Sequence, residues 1–157
     1  MRSSVSVAQS SDIFVLKESG SGYCDPNPNL GPGIMQKINL AEQLSLIRDH
    51  WNPHIAGELN GQMVKLVKFQ GPFTWHHHER EDEMFFVVKG RFRMDYREDD
   101  RDSQEWIEEG EFIIVPRGIE HRPFAEEECQ VLLFEPASTL NTGNVKDSFT
   151  RTELARI

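Results

Sequence analysis

Between Gly61 and Glu135 the sequence is a series of short strand-like segments separated by turn signals, and this feature restricts the fold more than any other. The segments are rich in β-branched and aromatic residues, and residues 91–97 alternate strictly between charged and apolar side chains. A polar stretch at 97–104 reads as a hairpin loop. Because no helical pattern interrupts the series, it predicts an all-β sandwich or barrel. The predicted strands are 62–70, 84–89, 91–97, 106–107, 111–116 and 129–135.

A short helix is predicted just before this region. Asn39 and Glu42 have the spacing of a capping box, and Pro53 prevents the helix from continuing. Between them the apolar residues recur at helical spacing, which predicts about three turns packed on the outside of the main body. The predicted apolar stripe is Leu40, Leu44, Ile47 and Trp51.

The chain divides by composition into three parts. Residues 1–35 are rich in Ser, Gly, Asn and Pro and are expected to form a poorly ordered tail and connector. Residues 36–136 are expected to form the barrel with its leading helix. Residues 137–157 are expected to form an irregular C-terminal extension, with a turn at 141–144 and a short helix from about Thr152.

Composition excludes several classes of partner. The formal charge of −9 and the lack of a Lys/Arg cluster argue against nucleic acid. No apolar run approaches the roughly 20 residues needed to cross a bilayer, and the N-terminus lacks the apolar core of a secretory signal, so a cytoplasmic protein is expected. Cys24 and Cys129 lie far apart in no CxxC pair and are expected to be unlinked thiols.

The segment from Trp75 to Glu83, WHHHEREDE, contains three consecutive histidines. In a strand, residues i and i+2 face the same side, so His76 and His78 project together and His77 projects away. The polar residues after them suit a tight turn, which can bring Glu83 back beside the two imidazoles. Two imidazoles and one carboxylate form a site suited to Zn, Fe, Mn, Co or Ni.

His121 is a fourth candidate ligand. It follows a strand and a turn in which Pro116 fixes the backbone and Gly118 can adopt positive φ. Strand alternation then places His121, Pro123 and Ala125 on one face.

These residues carry a resemblance to a known family. Gly71, His76, His78, Glu83 and Gly90 are spaced as in the first conserved motif of the cupin superfamily, and Gly110, Pro116, Gly118 and His121 as in the second. The chain departs from the pattern in two places. Four residues rather than five separate Gly71 from His76, and Ala125 stands where the second motif often has Asn.

The resemblance implies a double-stranded β-helix, or jelly-roll barrel, with a short N-terminal helix and irregular termini. It also implies that His76, His78, Glu83 and His121 hold one divalent metal ion inside the barrel, and that the protein is a homodimer acting on or binding a small molecule. The implied activities are metal-dependent isomerase, dioxygenase or lyase. The alternative is a non-catalytic cupin that binds a small ligand and uses the metal structurally, because one fold supports many functions.

A catalytic side chain besides the ligands is harder to find in the sequence. Phe92, Met94 and Tyr96 share one face of their predicted strand and read first as barrel core. Of the three, only Tyr96 can donate a proton, and it is therefore the candidate catalytic residue if this face lines a substrate pocket.

Overall fold

The computed structural model describes residues 35–99 and 101–157, and the prediction made for residues 1–34, including Cys24, lies outside this range. One helix, α1 (Leu40–Leu46), precedes the strands of the described chain. The strands are β1 (His54–Leu59), β2 (Gln62–Pro72), β3 (Glu83–Lys89), β4 (Arg91–Glu98), β5 (Arg101–Glu108), β6 (Phe112–Val115) and β7 (Glu120–Pro136).

The long strand β7 organises the barrel. Its C-terminal part lies between β2 and β3, giving the antiparallel order β1-β2-β7-β3-β6, and its N-terminal part pairs with β4, which pairs with β5. The register of β2 against β7 shifts between Phe69 and Gly71, and such a bulge bends a strand and increases its twist. The prediction of an all-β jelly-roll barrel with a short N-terminal helix is confirmed.

The two faces of the sheet bury different clusters. Inward-facing residues of β2, β3, β4 and β7 alternate with outward-facing ones and fill the barrel, with Phe69, Phe85 and Phe92 in contact as aromatic neighbours. On the outer face, Leu44 of α1 packs with Leu66 of β2 in a second cluster. The outer packing of α1 is therefore as predicted.

The helix is shorter than predicted. Asn39 caps it as predicted, because its side chain accepts hydrogen bonds from the backbone amides of residues 41 and 42. The Glu42 carboxylate accepts a hydrogen bond from the Asn39 side-chain amide and not, as in a full capping box, from the Asn39 backbone amide. The prediction of three turns is wrong, because the chain becomes extended at Ile47. Trp51, with φ of 58°, instead stacks on Phe69 at 4.3 Å between ring centroids and donates its indole N–H to the Gln70 carbonyl. Burial of this ring in the barrel overrides helical continuation.

Two other local predictions need correction. The hairpin loop is shorter than 97–104, because β4 continues to Glu98 and β5 begins at Arg101. The C-terminal helix from Thr152 is wrong: the last residues run beside β1, where the Ile55 amide donates to the Ala155 carbonyl at 2.8 Å. The turn at 141–144 is confirmed by the hydrogen bond from the Gly143 amide to the Leu140 carbonyl. The division of the chain into a barrel at 36–136 and an extension at 137–157 stays a prediction.

Within the described residues no helix has the length and apolar character needed to cross a membrane. Cys129 is a free thiol buried in the barrel, and burial raises its pKa to about 12. It packs as a small apolar residue of β7, as predicted.

Candidate metal centre

Backbone pairing brings His76 and His121 together. The His76 amide donates to the His121 carbonyl at 3.1 Å, and the His121 amide donates to the His76 carbonyl at 2.8 Å. Each ring is further oriented through Nδ1, which lies 3.0 Å from the Thr74 carbonyl for His76 and 2.9 Å from the Ile119 carbonyl for His121. A carbonyl can only accept, so Nδ1 carries a proton in both rings, and Nε2 is the nitrogen of each ring that is available as a metal ligand.

The turn between His78 and Glu83 is held from outside the site. Asp82 accepts three hydrogen bonds from Arg117, one from its backbone amide and two from its guanidinium. The Gly118 amide donates to the His78 carbonyl at 2.7 Å. These contacts join the turn after the histidines to the turn before His121, and they place Glu83 at the start of β3, opposite Val115.

The four predicted ligands converge on one point. One possible ligand atom from each of His76, His78, Glu83 and His121 lies within 4.8 Å of the other three. Glu83 Oε2 is 3.2 Å from His78 Nε2 and 3.6 Å from His121 Nε2. All four residues are buried, with exposed fractions of 4% or less.

Three of these atoms have no hydrogen-bond partner in the protein: His78 Nε2, Glu83 Oε2 and His121 Nε2. A buried polar atom without a partner costs about 1–3 kcal/mol, so three in one cluster need an explanation. Three imidazoles and a carboxylate are a donor set suited to a divalent transition metal or zinc. The residues present therefore fit a metal ion.

The electrostatics favour the same interpretation. Burial, reinforced by the nearby His121, lowers the pKa of His76 to about 3. Burial alone would raise the pKa of Glu83, but contacts with His121 and His78 outweigh it and hold that pKa well below its usual range. At neutral pH the cluster thus offers a neutral imidazole and an ionised carboxylate, the states that can ligate a metal.

The other histidines lie outside the cluster of ligand atoms. The backbone of His77 exchanges hydrogen bonds with Asn144, from its amide to Oδ1 at 2.9 Å and from the Asn144 amide to its carbonyl at 3.1 Å. His50 pairs with Glu128 at 3.1 Å, and His54 Nδ1 contacts the Asn52 carbonyl. Both of these side chains are half-buried.

One cavity is lined by two of the candidate ligands, and a larger one is lined by residues that neighbour the ligands along the strands. One, of about 20 Å³, is lined by His76 and Glu83 together with Trp51, Phe69 and Phe73, and has room for about one water molecule. The other, of about 240 Å³, is lined mainly by apolar side chains of β4 and β6 and by Tyr96. Tyr96 lies directly opposite His121 in the pairing of β4 with β7, so their side chains are close neighbours on one face.

Two charged residues inside the barrel were missed by the sequence analysis. Lys65 and Glu135 are each 1% exposed and form an ion pair of 2.6 Å between Nζ and Oε1. Burial and the neighbouring Glu83 raise the pKa of Glu135 well above its usual value, against the attraction of Lys65. The alternation of side chains along a strand could have revealed them. Lys65 lies two residues before Val67 and Glu135 lies two residues after Leu133, so both share the inward face with these core residues.

Comparison with known proteins places these features in a family. Residues 63–135, which include all four candidate ligands, match the family described as the cupin domain. Over 65 residues the chain is 32% identical to the uncharacterized protein YdbB of Bacillus subtilis (strain 168), covering 41% of this chain and 55% of that protein. The chain thus spans about half the length of this curated relative.

Two solved structures are similar to this chain. A cupin-2 domain containing protein from Shewanella frigidimarina is 37% identical with a TM-score of 0.59, covering 63% of this chain and 93% of that one. Protein NMB1881 from Neisseria meningitidis is 34% identical with a TM-score of 0.58, covering 65% of this chain and 100% of that one.

Proposed function

This chain belongs to the cupin superfamily, and we propose that it binds one divalent metal ion through His76, His78, Glu83 and His121 and acts with it on a small molecule. The observation that carries the proposal is the set of buried donor atoms without protein partners. Fe, Mn, Zn, Ni and Co all suit this mixed nitrogen and oxygen donor set, whereas Mg and Ca prefer oxygen alone.

When bound, such an ion supplies Lewis-acid or redox chemistry, and the proposed activity is a metal-dependent isomerase, dioxygenase or lyase. The protein's own part is to hold the ligand rings by Nδ1 hydrogen bonds, to keep the site dry, and to present a proton donor. Tyr96 is proposed for the last role, because its side chain is the cross-strand neighbour of His121 and lines the 240 Å³ cavity.

The cavity beside Tyr96 indicates the kind of substrate. Its volume of about 240 Å³ lies just below the usual range for ligand pockets, roughly 300–1,000 Å³, so the substrate is small. Its lining is mainly apolar, contains no Lys or Arg, and includes Glu98. A phosphorylated sugar would find no cation there, which favours an uncharged or weakly polar molecule.

A second function is favoured by the burial of the site. All four ligands are 4% exposed or less, and the cavity that touches His76 and Glu83 holds about one water. A metal enclosed in this way could brace the barrel of a non-catalytic ligand-binding protein.

One experiment separates the two functions. Protein purified without a histidine tag is analysed for metal, then stripped and loaded with Co²⁺, and its visible spectrum is recorded with and without azide. We expect one metal ion per chain and a spectral change with azide, because an open coordination position accepts an added ligand. One Co²⁺ per chain with no response to azide would favour the structural metal. Absence of stoichiometric metal would contradict both functions.

A homodimer is part of the proposal and is supported by β6. This strand pairs with β3 alone among the described strands, so its other edge is open, and Phe112 and Ile114 project from it with 61% and 55% of their surfaces exposed. Open edges with apolar side chains favour pairing between copies. Sedimentation should give a dimer for the wild type and a monomer for Phe112→Ser/Ile114→Ser. A wild-type monomer would contradict this part.

A further inference from the structure

Three charged side chains stand in a row on the inner wall of the barrel. Strands β3 and β7 run antiparallel, and Met84 pairs with Phe134. One position further along the same register, Glu83 therefore lies directly opposite Glu135. The pairing of Met63 with Glu135 sets Lys65, two residues along β2, diagonally across from Glu135. The row therefore runs across three adjacent strands, from β2 through β7 to β3, and ends at a candidate metal ligand.

Contacts link the three residues. Lys65 Nζ donates to Glu135 Oε1 at 2.6 Å and to the Thr139 carbonyl at 3.4 Å. The Glu135 side chain is the cross-strand neighbour of the Glu83 side chain, because directly opposite residues of neighbouring strands project to the same side of the sheet. Glu135 Oε2 has no donor of its own among the described side chains and backbone amides.

Fold stability alone is a weak reason for this arrangement. Desolvating two charges opposes much of their mutual attraction, and replacing a buried ion pair by well-packed apolar residues is often neutral or stabilising. Leu133 lies opposite Lys65, and both Val67 and Leu133 belong to the apolar core of the barrel, so an apolar pair in place of Lys65 and Glu135 would continue that core. Their location beside Glu83 gives them another role.

We propose that Glu135, anchored by Lys65, is a positioning residue that fixes the carboxyl group of Glu83 so that Oε2 faces the imidazoles of the metal centre. This inference rests on the proposed function, since it assigns a role toward the same metal. A carboxylate on a flexible side chain ligates well only when its rotamer is fixed, and partners of metal ligands serve this purpose. Without a polar group at position 135, Glu83 is free to turn away from His78 and His121.

The test compares two double variants with the same net charge. Lys65→Met/Glu135→Gln keeps an amide beside Glu83, whereas Lys65→Met/Glu135→Leu leaves no polar group there. The dissociation constant for Zn²⁺ is measured by competition with a chromophoric chelator, and thermal unfolding of the metal-free proteins is measured in parallel. A matched control is Lys68→Met/Glu128→Leu, which removes a partly exposed ion pair of 3.2 Å between the same two strands.

We expect the Leu variant to bind Zn²⁺ roughly 10–100-fold more weakly than the wild type, the usual effect of removing a partner of a metal ligand, with the Gln variant and the control within about threefold. Equal affinities of the Gln and Leu variants would overturn the positioning role, because a purely structural pair is lost in both. If the Leu variant does not fold, Glu135→Asp replaces it: the shorter side chain keeps its charge beside Lys65 but is withdrawn from Glu83. Wild-type affinity in that variant would equally overturn the inference.

The two levels of the proposal fail in different ways. A wild type that binds no Zn²⁺ contradicts the metal centre itself and the positioning role with it. A wild type that binds one Zn²⁺ per chain, with all variants equal to it, contradicts the positioning role and leaves the metal centre standing.

Discussion

The backbones of His76 and His121 exchange two hydrogen bonds, of 3.1 and 2.8 Å, and their ring centroids are 4.3 Å apart. The residues belong to the two separate sequence motifs, so this pair joins the motifs at the level of the main chain. Their ring orientation follows from the Nδ1 contacts with the Thr74 and Ile119 carbonyls. The ligand geometry is therefore built into the fold, which favours tight binding because little ordering remains to be done.

The histidine variants test the assignment of ligands. His76→Ala and His121→Ala should each weaken metal binding by more than roughly 100-fold. This loss exceeds the roughly 10–100-fold loss of metal affinity that is typical when a hydrogen-bond partner of a ligand is removed. His77→Ala is the matched control and should bind metal like the wild type, because the contacts of His77 with Asn144 are made by its backbone. Metal titration by calorimetry gives all three values. Similar losses in the three variants would mean that the register of the segment is misassigned.

The sequence analysis succeeded where the chemistry is local. Strand alternation correctly separated His77 from His76 and His78, and Pro116 with Gly118 correctly indicated the turn before His121. The face to which a strand residue points follows from its position relative to its neighbours in the sequence, so it can be predicted without knowing the fold. The convergence of the two motifs required the family resemblance as well.

Other features depended on distant parts of the chain and were missed. Trp51 was assigned to a helix because its spacing fits one, but its ring is buried against Phe69 and Phe73 from another part of the sequence. Lys65 and Glu135 were passed over because a charged residue inside a barrel is unusual, and their pairing across β2 and β7 is visible only in the fold.

Gly143 should be required by the histidine segment. It has φ of 50°, and a Cβ at this position would collide with the His77 carbonyl oxygen and lie 3.3 Å from His78 Nδ1. Gly143→Ala should therefore lower the free energy of unfolding by more than the roughly 1–2 kcal/mol that left-handed backbone costs, and should weaken metal binding by displacing residues 76–78. Chemical denaturation and metal titration measure the two effects.

Gly110→Ala is the control for backbone strain. Gly110 has φ of 85° and no atom within 4 Å of an added Cβ, so only the conformational cost of about 1–2 kcal/mol is expected, with unchanged metal affinity. If Gly143→Ala behaves like Gly110→Ala in both measurements, the C-terminal turn does not hold the histidine segment.

Asp95 should make stability depend on acid pH. Its side chain is 10% exposed and receives hydrogen bonds from Arg93 at 2.6 Å and Arg122 at 2.7 Å. Burial would raise its pKa, but the bonds from the two arginines outweigh burial and lower it. A carboxyl whose pKa is lower in the folded state stabilises the fold above its unfolded pKa of about 3.9, and this contribution is lost as pH falls through the folded value.

Asp95→Asn should therefore lower the free energy of unfolding at pH 7 by about 1–3 kcal/mol, the usual range for hydrogen bonds to a charged group, and should flatten its decline below about pH 4. Urea denaturation across this pH range provides the measurement. Asp102→Asn, at a side chain 76% exposed beside Arg97, is the control and should change little. An unchanged acid profile in Asp95→Asn would show that other carboxyl groups dominate.

The most direct test of the metal centre is a crystal structure of the wild-type protein loaded with one equivalent of Zn²⁺, with diffraction recorded on both sides of the zinc absorption edge. The predicted result is one strong anomalous peak per chain, about 2.0–2.2 Å from a nitrogen of each of His76, His78 and His121 and from a carboxylate oxygen of Glu83. A peak bound elsewhere, or one that leaves His121 without contact to the metal, would contradict the central claim.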